Sequence, residues 1–225
     1  MTPKVKGLDI MIGHTSNEII FMYPDNDREY YENFKVGNEL AYGFDEVLDE
    51  DVVKSFYADS KLSNEHLQQE IMEFGSDFAF NYPTDRTVKR YLENGANKVY
   101  RYMFAYEGGR NVFKNLLNYT SEGAAHSDDL SYLFDTQAFK GQPSNRDQAM
   151  INVMTELWTN FAKYGDPTPT TSELIPVKWE PTTLESPRYL HIDLPLTLGR
   201  KPFSDRMAFW DLYYKLHGEE EKGRK

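Results

Sequence analysis

Leu8-Asp9-Ile10-Met11-Ile12-Gly13-His14-Thr15-Ser16-Asn17-Glu18 is the stretch whose reading decides the fold. Leu8 to Ile12 is a short, nearly continuous apolar run ended by glycine, the form a strand takes when both faces of a parallel sheet are covered. The polar residues after Gly13 then place Glu18 just beyond the strand's C-terminal end, where open α/β sheets build their sites. On its own, Glu18 also reads as a surface loop carboxylate.

A second stretch answers to the first. Gly123-Ala124-Ala125-His126-Ser127-Asp128-Asp129-Leu130-Ser131-Tyr132-Leu133-Phe134 sets a histidine in a small-residue turn, and Leu130, Leu133 and Phe134 follow at helical spacing. That spacing predicts a helix with an apolar inner face. Asp128 and Asp129 would lie in its first turn, suited to the positive end of the helix dipole, and Gly123 with the alanines would leave room for an approach to the ring. The strand leading to this loop is Lys98 to Tyr106, where Tyr100, Tyr102, Phe104 and Tyr106 alternate with Val99, Arg101, Met103 and Ala105.

Between the two strands the pattern is helical from Tyr30 to about Gly95. Val52, Val53, Phe56 and Tyr57 mark one short helix, and Leu67, Ile71, Phe74 and Phe78 a longer one that runs toward Pro83 and continues from Thr84 to Leu92. Asp77 reads as a helix-surface carboxylate, with a buried acid as the other reading. Val88, Tyr91 and Leu92 share one face of that continuation, which Gly95 caps. Past the histidine, Ser144 to Asp147 approximates a capping box for a helix with Met150, Met154, Leu157, Trp158 and Phe161 inward, ended by Gly165-Asp166-Pro167. Val177 to Trp179 and Tyr189 to Leu194 read as a late pair of strands. Phe203 to Leu216 reads as a closing helix with Met207, Trp210 and Tyr214 inward.

Composition bounds the function. The 225 residues are 40% hydrophobic and 15% aromatic, enough for a globular core. A net charge of −11 disfavours nucleic acid and anionic membrane surfaces as partners. The sequence has no cysteine, so a disulfide framework, a thiolate nucleophile and a cysteine-based zinc site are excluded, while the compartment stays open. No apolar run of about 18 residues is present to span a membrane. His14, His66, His191 and His217 share no metal-ligand spacing, so no metal or other cofactor is expected. Asn118-Tyr119-Thr120 is a glycosylation sequon, and residues 219–225 form a charged tail expected to fray.

The acid-bearing segment, the histidine loop and the string Trp158-Thr159-Asn160-Phe161-Ala162-Lys163-Tyr164-Gly165-Asp166-Pro167 together resemble the type B carboxylesterases, the cholinesterase-like serine hydrolases. The resemblance runs along nearly the whole chain and corresponds to about the C-terminal two fifths of such a protein. It implies an α/β fold, the C-terminal part of an α/β-hydrolase with an incomplete sheet and large helical insertions, over residues 1–218. It implies that Glu18 is the acid and His126 the base of a Ser-Glu-His triad, whose order along an α/β-hydrolase chain is Ser, acid, His. It makes Phe21 and Met22 candidates for contact with a small-molecule ester substrate, with plain core packing as the other reading. Ile19 departs from the pattern, because the family usually has glycine after the acid. Family members are cytoplasmic or secreted, and Asn118 would be glycosylated only in a secreted one.

The nucleophile is not among these residues. No serine has glycine at both −2 and +2, so there is no G-x-S-x-G elbow, and no glycine-rich oxyanion segment accompanies it. Three expectations follow. The chain is part of a carboxylic ester hydrolase that depends on an N-terminal half of the same fold; or it is a non-catalytic esterase-like binding module; or it is a truncated product without a function of its own. If the first strand normally pairs with further strands, Leu8 to Ile12 presents an apolar edge that recruits other chains.

Overall fold

The computed structural model describes residues 4–20, 29, 49–57, 64–116 and 121–217. Phe21, Met22 and Asn118 lie outside the described residues, as do the helical expectation over 30–48 and the tail at 219–225.

The apolar run at the start forms β1 (Asp9–Thr15), and the alternating aromatic run forms β2 (Lys98–Phe104), parallel to it with Ile12 opposite Arg101 and His14 opposite Met103. β3 (Arg188–Ile192) pairs with β2 in parallel, and β4 (Thr197–Arg200) closes the sheet antiparallel to β3, giving the order β1-β2-β3-β4. Two parallel neighbours need a crossover, which the helices supply. These are α1 (Glu50–Tyr57), α2 (Asn64–Ser76) and α3 (Tyr82–Glu93) between β1 and β2, and α4 (Val112–Leu116) and α5 (Asn145–Tyr164) between β2 and β3. α6 (Ser204–His217) follows β4.

The core is built from two clusters, one on the sheet and one among the helices. Tyr100, Phe104, Leu190 and Ile192 pack against Met150, Val153, Met154 and Leu157 of α5, with Trp179 edge-on to Tyr100 at 5.5 Å between ring centroids. Each such large side chain taken fully out of water contributes about 1.5–3 kcal/mol. α5 holds its place because Ser144 accepts a hydrogen bond from the Asp147 backbone N–H at 3.1 Å, while Gly165 leaves the helix at φ 63°. On the helical side a second cluster gathers Ile19, Ile20, Val53, Tyr57, Leu67, Phe74 and Phe78 around Trp210 of α6.

Several expectations are corrected. The run past Phe78 continues through Pro83, but not as regular α-helix. Asp77–Asn81 widens into a π turn, with the Tyr82 N–H bonding to the Asp77 carbonyl, and Pro83 falls in the first turn of α3, where its missing N–H costs nothing. Asp77 is fully buried rather than on a helix surface. Its carboxylate accepts from Tyr57 and Asn81, both at 2.7 Å, and is ion-paired with Arg206 at 2.7 Å. Val177 to Trp179 is not a strand; the partner of β3 is the short, largely exposed β4. Tyr213 rather than Tyr214 is the more deeply buried of the two on α6.

The segment after the histidine departs most. Asp128–Tyr132 is a single 3-10 turn whose apolar side faces outward: Leu130 is 47% and Phe134 68% exposed, whereas Asp128, Asp129, Ser131 and Tyr132 are buried. At three residues per turn the side chains fall on different faces from those of an α-helix, and the buried carboxylates have partners waiting below them.

Candidate active site

Gly13 lets β1 lie close on β2, since a Cβ there would sit 2.5 Å from the ring and carbonyl of Tyr102. The chain then turns sharply over Ser16–Glu18. The Thr15 N–H donates to Glu18 Oε1 at 2.7 Å, closing the turn on its own carboxylate. Ile19 needs no positive φ here; its side chain enters the helical core and its N–H donates to Ser76 Oγ at 3.2 Å, so the branched residue is accommodated where a glycine is usual.

The histidine loop docks on this turn through its backbone. Asn17 N–H donates to the Ala124 carbonyl at 3.0 Å, Ala124 N–H to Ser16 Oγ at 2.9 Å, and His126 N–H to the Glu18 carbonyl at 3.1 Å. Gly123 is required by this contact and not by an approach to the ring: its φ is 99°, and a Cβ would stand 2.9 Å from Ser16 Oγ. The docked loops bring His126 Nδ1 to 2.7 Å from Glu18 Oε2, across 108 residues of sequence.

The two partners differ in exposure. Glu18 is buried, both carboxylate oxygens accepting hydrogen bonds, whereas 43% of the His126 side chain is open to solvent. The hydrogen bond donated to Glu18 raises the imidazole above its ordinary value of 6.5; partial burial opposes this, and the negative charges of Glu18, Asp129 and Asp128 add to the rise. Nδ1 is the ring nitrogen committed to Glu18, and that bond fixes the orientation of the imidazole. Phe80 lies over the ring at 4.9 Å between centroids. His14, only four residues before Glu18, is tuned the other way. Burial lowers it to about 4, and its Nδ1 is 2.9 Å from the Thr15 carbonyl, so it stands as a neutral structural imidazole.

Beneath the loop lies a layer that sequence reasoning missed. Asp128 Oδ2 accepts from the Ala125 N–H at 2.7 Å and from Asn111 Nδ2 at 2.9 Å. Asn111 also receives Tyr132 Oη at 2.8 Å and donates to the Tyr106 carbonyl at 3.0 Å. Burial pushes the Asp128 carboxyl up to about 6 and raises that of Asp129, which accepts from Tyr102 Oη at 3.1 Å. Ser127, at φ 64°, is the left-handed residue on which the chain turns from the imidazole into this buried layer. The available signal is the pair Asp128-Asp129 itself, but their burial depends on Asn111 and Tyr102, which no local pattern connects to them.

A buried acid at the end of one parallel strand, hydrogen-bonded to a part-exposed histidine on the loop after the next, is the arrangement of an α/β-hydrolase. A carboxylesterase family model matches residues 2–210, and the chain belongs to that family. It is similar to human bile salt-activated lipase, 30% identical over 158 residues that cover 68% of this chain and 20% of the lipase. It is also similar to juvenile hormone esterase of Heliothis virescens, 35% identical over 97 residues, covering 41% of this chain and 17% of that protein. The crystal structure of juvenile hormone esterase from Manduca sexta, with OTFP covalently attached, superposes with a TM-score of 0.71 at 25% identity, covering 93% of this chain and 42% of the other. The chain therefore spans well under half the length of these relatives. Among the described residues no group of His, Cys, Asp and Glu is arranged to hold a metal ion, and no helix is long and apolar enough to cross a membrane.

Proposed function

We propose that Glu18 and His126 are the acid and base of a Ser-Glu-His triad in a carboxylic ester hydrolase acting on small-molecule esters, with the nucleophilic serine and oxyanion hole belonging to polypeptide outside these 225 residues. The observation that carries this reading is the 2.7 Å contact between His126 Nδ1 and a buried Glu18 carboxylate. Serine is a poor nucleophile until a base takes its proton. His126 Nε2 receives that proton as Ser Oγ bonds to the ester carbonyl carbon, and returns it to the alkoxide as the ester C–O bond breaks. Water then attacks the acyl-enzyme with the same base, releasing the acid and regenerating the serine. Glu18 holds the tautomer and stabilises the imidazolium formed at each step. Residues 1–218 are then one portion of a carboxylesterase-type domain and 219–225 its tail. Phe21 and Met22, directly after buried Ile20, are assigned to substrate contact, and Asn118 to glycosylation in a secreted product.

The test is to incubate the purified chain with p-nitrophenyl acetate and an organophosphate probe, alone and joined to a carboxylesterase N-terminal segment carrying a G-x-S-x-G. Turnover and labelling only in the joined form support the proposal. Covalent labelling of the 225-residue chain alone would overturn it. The second reading, a non-catalytic esterase-like module, is favoured by the absence of a G-x-S-x-G from the sequence; it requires the joined form to bind esters without hydrolysing them.

A further inference from the structure

On the face of β2 turned away from α5, a cleft of about 210 Å³ lies between α3, α6 and the segments around residues 182–187 and 201–204. It shares no residue with the Glu18–His126 site. Arg101, from the middle of β2, forms part of its wall and is only 2% exposed. Its Nη1 donates to Asp85 Oδ1 at 2.6 Å, but Nε and Nη2 meet no hydrogen-bond partner among the described residues. The Thr182 hydroxyl, also in the wall and buried, meets none either. Burying a guanidinium with most of its donors unpaired is costly, because each lost partner forfeits a charge-assisted hydrogen bond and the charge has left water. These atoms are themselves closed off from solvent, so an acceptor from the cleft must part the wall residues to reach them, and one that does removes that cost.

The charges select its kind. Arg101, Lys89 and Lys201 face the cleft against Asp85 and Asp211, leaving a single net positive charge for a ligand to neutralise. A monoanion balances it, and a phosphate dianion overshoots. Val88, Leu92 and Met207 supply apolar wall beyond the charged end. A planar carboxylate also suits a guanidinium, whose parallel N–H groups match its two oxygens.

We infer that this cleft is a binding site for a short-chain carboxylate, its carboxyl on Arg101 and Thr182 and its chain along Val88, Leu92 and Met207. The inference is independent of the triad.

It is tested by titrating the protein with hexanoate, hexanol and inorganic phosphate, followed by ligand-observed NMR and isothermal calorimetry. Hexanoate is expected to bind saturably, hexanol and phosphate at least tenfold more weakly. Arg101→Gln removes the guanidinium. Because it also loses the Asp85 contact, Ala208→Phe provides a second test: Ala208 is an exposed residue of α6 on the cleft wall, and the larger ring obstructs the space without touching the core. Each variant is expected to weaken hexanoate binding at least tenfold, and His126→Ala to leave it unchanged. The inference is overturned if hexanoate shows no binding up to about 50 mM, if Ala208→Phe binds it as well as the parent, if His126→Ala abolishes binding, or if phosphate binds as tightly as hexanoate.

Discussion

Glu18→Gln separates an acid that tunes the imidazole from a carboxylate that merely fills space. In the parent, Glu18 Oε1 accepts from the Thr15 N–H and Oε2 faces His126 Nδ1, each at 2.7 Å. Glutamine has the same shape but only one acceptor oxygen. If that oxygen stays on Thr15, the amide NH2 meets the imidazole, and Nδ1 must become the acceptor. The ring proton then moves to Nε2, and the general base proposed above is lost. Such an acid-to-amide change in a triad costs about 10⁴ in kcat, equivalent to roughly 5 kcal/mol of transition-state stabilisation. Folding should suffer far less, about 1 kcal/mol, since one charged hydrogen bond is exchanged for a neutral one. The pH dependence has a defined sign. Glu18 raises His126, so the parent's acid limb lies above pH 6.5, and the Glu18→Gln substitution moves it to lower pH. For stability, a histidine raised in the folded state contributes fully below its unfolded value, and the contribution is lost as pH rises through the folded value. The assay is kcat against pH for p-nitrophenyl butyrate in the joined form, beside urea unfolding. A folded Glu18→Gln protein that loses less than tenfold in kcat would refute this reasoning.

Three further outcomes follow from the packing and charges. Trp210→Ala, at the centre of the helical-side cluster and fully buried, should cost about 3–5 kcal/mol in urea unfolding; a loss below about 1 kcal/mol would contradict the core assignment. Asp128 is raised from 3.8 to about 6, so its ionisation opposes folding and stability falls as pH rises from about 4 to 6. Asp128→Asn should reduce that fall by up to roughly 3 kcal/mol, checked by unfolding midpoints across the range. Finally, β1 is an outer strand of the sheet among the described residues, and the 225-residue chain should self-associate in size-exclusion chromatography with light scattering; a monodisperse monomer with a cooperative melt would count against an accessible edge.

What is legible in the sequence follows physical period. The continuous run Leu8–Ile12 and the alternation over Lys98–Phe104 give β1 and β2, because strand character is written into those residues themselves, although Leu8 is exposed and Ile10 to Ile12 are only half-buried. The capping residues of α5 are equally local. Resemblance pairs Glu18 with His126, as no spacing rule links residues 108 apart, and the structure brings the two side chains to 2.7 Å. What stays hidden is set by tertiary partners. Asp77 reads as surface or buried with the surface reading preferred, because Arg206, its counter-charge, lies on the last helix. Asp128 and Asp129 read as dipole-facing acids because their burial depends on Asn111 and Tyr102. β4 escapes notice because a four-residue, largely exposed edge strand carries little pattern, and the π turn at Asp77–Asn81 is too short to set a period of its own.

The acid–base pairing is tested most directly at the ring itself, by ¹⁵N-detected NMR titration of His126 in the parent and in Glu18→Gln. The account predicts a neutral parent imidazole protonated on Nδ1, with a low-field proton and titration above 6.5, and a proton shifted to Nε2 with titration moved down in the variant. A parent ring protonated on Nε2, or one that titrates at the same pH with and without the Glu18 carboxylate, would contradict it.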